Sequence, residues 1–123
     1  MGVRIDKYDN LFSKFIRTRD KWTCRRCGKY LQPPTSGLHN SHYVGRGSWN
    51  SRYDEENCDA LCYGCHQVWG GDGRDDYKAF KIKQLGKKRF NALIRRSNEY
   101  VNKRKLRERV WEEYKEKLKA LEI

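Results

Sequence analysis

The sequence has no long hydrophobic run, few acidic residues beside its basic ones, and little apolar material of any kind. No stretch approaches the roughly 20 apolar residues of a membrane span, which excludes a bilayer-crossing helix. The start, Met1 to Asp20, is charged and amphipathic rather than an apolar leader, so secretion is not expected. No internal repeat or low-complexity linker interrupts the 123 residues, a length that fits one domain. Only 37% of residues are hydrophobic, against 36% charged. A core built from so little is small, and small cores usually need a staple such as zinc. Aspartate and glutamate number 16 against 28 lysines and arginines, a formal net charge of +12. That surplus implies a polyanionic partner, with nucleic acid the first candidate and an anionic membrane surface the weaker one.

Cysteine is scarce and odd in number, at five, yet four of the five fall in two pairs, Cys24-x-x-Cys27 and Cys62-x-x-Cys65. Two such knuckles can place four thiolates tetrahedrally around one structural Zn²⁺. The paired spacing favours zinc over disulfides, and hence a reducing cytoplasm. Cys58, the fifth, reads as a small buried apolar residue. A zinc ribbon usually separates its knuckles by about 15–20 residues. Here 34 residues lie between Cys27 and Cys62, and the insert carries His39 and His42. His66 directly follows Cys65, where a helix can begin and a second metal can use it.

Periodicity places these residues on elements. Leu11, Phe12, Phe15 and Ile16 predict a helix over 9–20. Pro33-Pro34 marks a loop. Leu38 to Val44 is a candidate strand with His39 and Ser41 on one face and Asn40 and His42 on the other. A Gly/Ser-rich turn spans 45–50, and a short helix is expected from about His66 until Gly70-Gly71-Asp72-Gly73 breaks it. Three further amphipathic helices are expected: one from about Asp75 to Gly86, one over 87–97 and one over 103–121. Between Lys78 and Val110 there are thirteen Lys/Arg and two acidic residues, a lopsided run that reads as a nucleic-acid-binding face. Lys87-Lys88-Arg89 and Arg95-Arg96 are its densest clusters.

The order of residues between the knuckles is a strand histidine, then Asn57, then His66 nine residues later. This resembles the HNH nuclease motif, a ββα-metal fold in a zinc-stapled frame. Leu11 to Arg17, the stretch His39-Asn40-Ser41-His42-Tyr43 with Arg46, and Arg52-Tyr53…Asn57-Cys58 together resemble the phage NinG/Rap recombination nucleases. The likeness spans most of the chain; its metal motifs are specific and its helices are weak. It implies a single α+β domain over 1–123, with a ββα-metal (His-Me finger) core at about 20–74, an N-terminal helix, and a basic helical extension at about 75–123. It implies a divalent-metal-dependent endonuclease that cuts branched or recombining phage DNA in an infected or prophage-bearing bacterial cell. Symmetric cutting of a junction would need two active sites, and hence a homodimer.

Phosphodiester hydrolysis needs a base for the attacking water and positive charge on the phosphate and the departing 3′ oxygen. His42 is the expected base, since a neutral imidazole accepts a proton at cellular pH. His66 is the expected ligand of a catalytic Mg²⁺ or Mn²⁺. By resemblance, Asn57 lies between the second strand and the knuckle and braces its loop against the strand of His42. Arg46 and Arg52 can grip phosphate oxygens. The commonest HNH pattern has Asp or His before the base, where this chain has Ser41. His39 could substitute as the second ligand, or waters could fill the shell. Trp49, in the Gly/Ser loop, is a candidate for stacking on a base. The rival reading is a non-catalytic zinc module that only binds nucleic acid. It would keep the cysteines and basic helices but has no need of His42, Asn57 and His66 together.

Overall fold

In a computed structural model, residues 5–122 are described; the expected domain bounds, and the first four residues of the charged start, lie outside them. Helix α1 (Lys7–Arg19) starts earlier than its apolar spacing predicts, because Asp6 caps it. The Asp6 carboxylate accepts from the backbone N–H of Tyr8 and Asp9, and Asp9 returns a bond to the Asp6 N–H, a reciprocal capping box. Lys21 and Trp22 then take left-handed backbone angles (φ 57° and 55°), which turn the chain into the first knuckle.

Strands β1 (Leu38–His42) and β2 (Cys58–Cys62) form a two-stranded antiparallel sheet. The register sets Leu38 opposite Cys62 and His42 opposite Cys58. Between them lie a single helical turn, α2 (Trp49–Arg52), and a tighter turn over Glu55–Asn57. Helix α3 (Tyr63–Gly70) follows β2 without a loop and packs on both strands. It begins three residues before the expected position, so both Cys65 and His66 sit in its first turn. Helices α4 (Arg74–Leu85), α5 (Lys87–Ser97) and α6 (Lys103–Glu122) complete the chain.

Two apolar clusters hold these elements. Phe12, Phe15 and Ile16 of α1 meet Leu106, Val110 and Tyr114 of α6, with Tyr53 and Cys58 closing the cluster. Helix α6 is therefore half of the core that seats α1. In the second cluster, Leu38, Ala60 and Leu61 pack with Trp69 and Tyr77, whose rings stack at 4.6 Å. Cys58 is fully buried, as expected of an apolar cysteine, and burial pushes its thiol pKa well up.

One polar network runs through this interior. Lys81 and Asp59 are both fully buried and paired at 3.1 Å. Gln84 donates to the second Asp59 oxygen at 3.1 Å and accepts from Lys81 Nζ at 2.7 Å. The Tyr77 hydroxyl lies 3.1 Å from both Asp59 Oδ2 and Ser41 Oγ. A carboxylate only accepts, so Tyr77 donates to Asp59 and accepts from Ser41. The network ties α4 to both strands. Removing one partner leaves a buried charge without compensation. Lys81→Met should therefore destabilise the fold by about 3–5 kcal/mol. In denaturant unfolding, the Lys81→Met/Asp59→Asn double variant should lose much less than the sum of the singles; strict additivity would rule out the pair as the source.

Candidate functional site

The four paired cysteines converge. Their Sγ atoms all lie within 4.8 Å of one another, with Cys27 and Cys62 at 3.9 Å. Four thiolates at about 2.3 Å from one zinc stand roughly 3.8 Å apart, so the donor set fits a tetrahedral ion. The first knuckle is shaped by backbone bonds from Gly28 N–H to Cys24 C=O and from Cys24 N–H to Lys29 C=O, both 2.9 Å, with Gly28 at φ 80°. Burial opposes a Cys24 thiolate, but backbone N–H bonds at Cys27, Cys62 and Arg26 outweigh it and bring its pKa down to about 7. Cys65 is pushed up to about 12, by burial first and by its three sulfur neighbours after it, despite the Arg26 guanidinium 3.3 Å away. Crowded thiols resist sharing negative charge, and a divalent cation among them removes that resistance. These four residues can hold a zinc ion.

A second constellation lies in a cleft of about 590 Å³ between α1 and β1, where His39, His42, His66 and Arg46 all reach the wall. Strict alternation would send His39 and His42 to opposite faces. Two-stranded ribbons twist strongly, which carries successive side chains off that alternation. His39 Nδ1 stands 2.9 Å from His66 Nδ1. This is a hydrogen bond in which one ring donates and the other accepts. The same spacing, roughly 3.0 Å, separates adjacent ligand atoms about 2.1 Å from one octahedral ion, so with both Nδ1 atoms free of a proton the pair could hold a divalent cation. Burial, then His39 and Arg46, lower the His66 pKa and favour the neutral form that a ligand needs. Ser41 is not in this cleft wall; it is 2% exposed and its hydroxyl meets Tyr77. The residue that partners His66 is His39.

His42 Nε2 lies 2.9 Å from the Arg52 carbonyl. A carbonyl only accepts, so Nε2 carries the proton and Nδ1 keeps the lone pair. Burial, with smaller contributions from Arg46 and Arg52, brings the His42 pKa down to about 4, although its bond to the Arg52 carbonyl and the Asp9 carboxylate act the other way. The imidazole is therefore neutral at cellular pH.

Arg52 corrects an expectation. It does not face a phosphate: it is 1% exposed, and its guanidinium grips Asp9 through Nε at 2.8 Å and Nη2 at 2.5 Å. Its carbonyl, in turn, orients His42. Asp9 went unnoticed in the sequence, yet it shares the helical face of Phe12 and Ile16. A carboxylate on an apolar stripe is the signal that was there to read.

Asn57 also sits elsewhere than expected. It precedes β2 instead of following it. It is fully buried; its amide donates to the Val44 and Ser51 carbonyls at 2.9 and 3.0 Å, and its Oδ1 accepts from the Val44 N–H at 2.8 Å. These bonds clamp both ends of the 44–51 loop that carries Arg46, so Asn57 is a positioning residue. Trp49 is no open platform, because Arg52 covers its ring at 4.3 Å and Lys103 stands 5.0 Å away.

Among the basic candidates, Lys87, Lys88 and Arg95 are exposed on α5. Arg89 and Arg96 are held by acids of the 54–56 turn: Arg89 Nε on Glu56 at 2.7 Å, Arg96 on Asp54 at 2.9 Å and on Glu56 at 3.0 Å. Those two arginines dock α5 on the core, which corrects their reading as phosphate contacts alone.

Residues 3–123 match the family model described as bacteriophage lambda NinG protein. The chain belongs to the NinG family. The family is associated with phage recombination, and the match covers every element described above. No curated protein and no solved structure shows significant similarity. Among the described residues, no helix is long and apolar enough to cross a membrane.

Two outcomes follow from the site. Cys62→Ser should lose bound zinc and cooperative unfolding together, since structural zinc supplies on the order of 10 kcal/mol in small modules; metal analysis and circular dichroism melts check this, and retention of both would remove the four-thiolate assignment. The second concerns His42. With a folded pKa of about 4 and an ordinary value near 6.5 when unfolded, the unfolded chain binds the proton first as pH falls. Its contribution is therefore complete above about pH 6.5 and is lost progressively down to about pH 4, a change on the order of 3 kcal/mol. His42→Gln keeps an amide donor for Arg52 but does not titrate. The stability difference between wild type and this variant should shrink as pH falls through that window; a constant difference would contradict the depressed pKa.

Proposed function

We propose that this chain is a divalent-metal-dependent DNA endonuclease of the ββα-metal (HNH) kind, acting on duplex or branched DNA in phage recombination. The observation that carries the reading is the cleft where the His39–His66 pair stands beside a neutral His42 whose Nδ1 lone pair is fixed by the Arg52 carbonyl. A DNA-binding module has no use for such a tautomer. Family membership supports the recombination setting.

In this reading His42 Nδ1 takes the proton from the attacking water, and because Nε2 is held by a carbonyl, the ring does not rotate away. Arg46, on the loop clamped by Asn57, lies where a guanidinium fork can hold the non-bridging oxygens of the scissile phosphate. Mg²⁺ or Mn²⁺ held by His39 and His66 would supply positive charge to the phosphate and the departing 3′ oxygen. DNA is the partner that suits the charge. The first turn of α5 carries Lys87, Lys88 and Arg89 and no acid. Cations there oppose the helix dipole, an arrangement that an approaching phosphate backbone relieves.

The test is cleavage of labelled linear, flapped and four-way DNA with Mg²⁺ or Mn²⁺ against EDTA. His42→Ala should keep DNA affinity and lose cutting by about 10²–10⁴-fold, the usual share of acid–base catalysis. His39→Ala and His66→Ala should each abolish metal-dependent cutting while zinc stays at one per chain. Wild-type protein that binds DNA but cuts none of these substrates with either metal would leave the non-catalytic module as the reading. Loss of zinc from the His66 variant would place that residue in the thiolate site instead.

A further inference from the structure

The turn between α5 and α6 holds Tyr100, which at 90% is the most exposed large hydrophobic residue among those described. Among the described residues its ring stacks on nothing and its hydroxyl has no hydrogen-bond partner. It stands at an open pocket of about 540 Å³, with Val44, Gly47 and Trp49 on one wall and Asn98, Glu99 and Lys103 on the other. The turn is anchored. Ser48 Oγ donates to the Ser97 carbonyl, and Asn50 Nδ2 donates to the Arg96 carbonyl at 2.6 Å. These bonds tie the end of α5, three residues before Tyr100, to the 48–50 segment.

That loop serves both places. Its Gly45 and Arg46 line the histidine cleft, and its Val44, Gly47 and Trp49 line the Tyr100 pocket. The cleft and the pocket are therefore walled by consecutive residues of one loop. The pocket wall is mixed in charge: Lys103 suits a phosphate, while the Glu99 carboxylate repels one but accepts from an exocyclic amine. An aromatic face, an acceptor and one cation at the rim together match a nucleobase better than a sugar–phosphate run. A base inside a duplex is already stacked on both faces, so only an unpaired one can use the ring.

We propose that the α5–α6 turn is a second DNA subsite, in which Tyr100 stacks on an unpaired base of the strand leaving the cleft. The subsite rests on the endonuclease reading only in that both suppose DNA along the 44–49 loop. It is tested by equilibrium anisotropy at fixed salt in the His42→Ala background, with two probes: a continuous duplex, and the same duplex with a short single-stranded gap. The parent should prefer the gapped probe. Adding Tyr100→Ala should weaken gapped DNA about 5- to 150-fold, the range of one base–aromatic stack, and leave duplex affinity unchanged. Tyr100→Trp should restore the preference, because a larger ring can stack and alanine cannot. Tyr100 is exposed, so these variants should fold as the parent does. Equal affinities of parent and Tyr100→Ala for the gapped probe, or an equal loss on both probes, would overturn the subsite. If metal-dependent cutting by protein with His42 intact persists alongside that result, the proposed activity stands without it.

Discussion

Everything in this molecule depends on holding a sheet of only two five-residue strands. Such a ribbon is marginal in water by itself. It is clamped at both ends, along the free edge of β2 and on the face that carries Ser41 and Asp59. At one end Cys62 closes β2 and joins the thiolate cluster, with Leu38 paired opposite it. At the other, the Asn57 carbonyl accepts from the Tyr43 N–H while its side chain holds Val44 and Ser51. Arg19 and Asp20, at the end of α1, reach the Cys58 carbonyl and the Ala60 N–H. Tyr77 and Lys81 of α4 grip the side chains of Ser41 and Asp59. The buried ion pair is weak as a source of stability, since both charges are desolvated. Its geometry fixes β2 against α4, and the Tyr77–Ser41 bond beside it does the same for β1, the strand of His42.

The proposed base inherits this rigidity through a relay of structural bonds. Asp9 is set by the capping box of α1, Arg52 is set by Asp9, and the Arg52 carbonyl sets His42. Each step uses a group whose alternative would be a buried unsatisfied atom, so each has strong reason to stay in place. A carboxylate directly on the imidazole would have raised its pKa. A carbonyl fixes the tautomer with less electrostatic pull and leaves the ring neutral.

The sequence disclosed its local structure better than its long-range polar partners. The bounds of α5 were readable to the residue because Gly86, with φ 81°, separates two amphipathic stretches. The cysteine knuckles and the three histidines were readable because metal and acid–base chemistry restrict residue type and spacing. Arg52 was misread because nothing in the sequence ties it to a carboxylate 43 positions earlier. Arg89 and Arg96 were misread for the same reason: a basic run looks one-signed until the acids at 54 and 56 are folded against it. Asn57 fell on the wrong side of β2 because that strand, Cys58–Cys62, is buried on both faces and so shows no alternation that would mark it in the sequence. The role of Ser41 became visible only with Tyr77 in place.

The two metal chemistries inferred for this chain meet at a single peptide bond. Cys65 and His66 are neighbours in the first turn of α3, and successive helical side chains diverge by about 100°. Cys65 therefore turns inward to the thiolate cluster, at 5% exposure, while His66 faces His39 across the cleft. Ligand softness would keep the two ions apart: four thiolates select zinc, whereas the Mg²⁺ or Mn²⁺ of the proposed activity would be held beside the imidazoles mainly by water and phosphate oxygens. The same adjacency makes the sites dependent in one direction. Loosening the cluster would free the start of α3, where His66 sits, and with it the His66–His39 contact. Removing the His66 ring takes nothing from the cluster, whose four sulfurs are held by the knuckles and by β2.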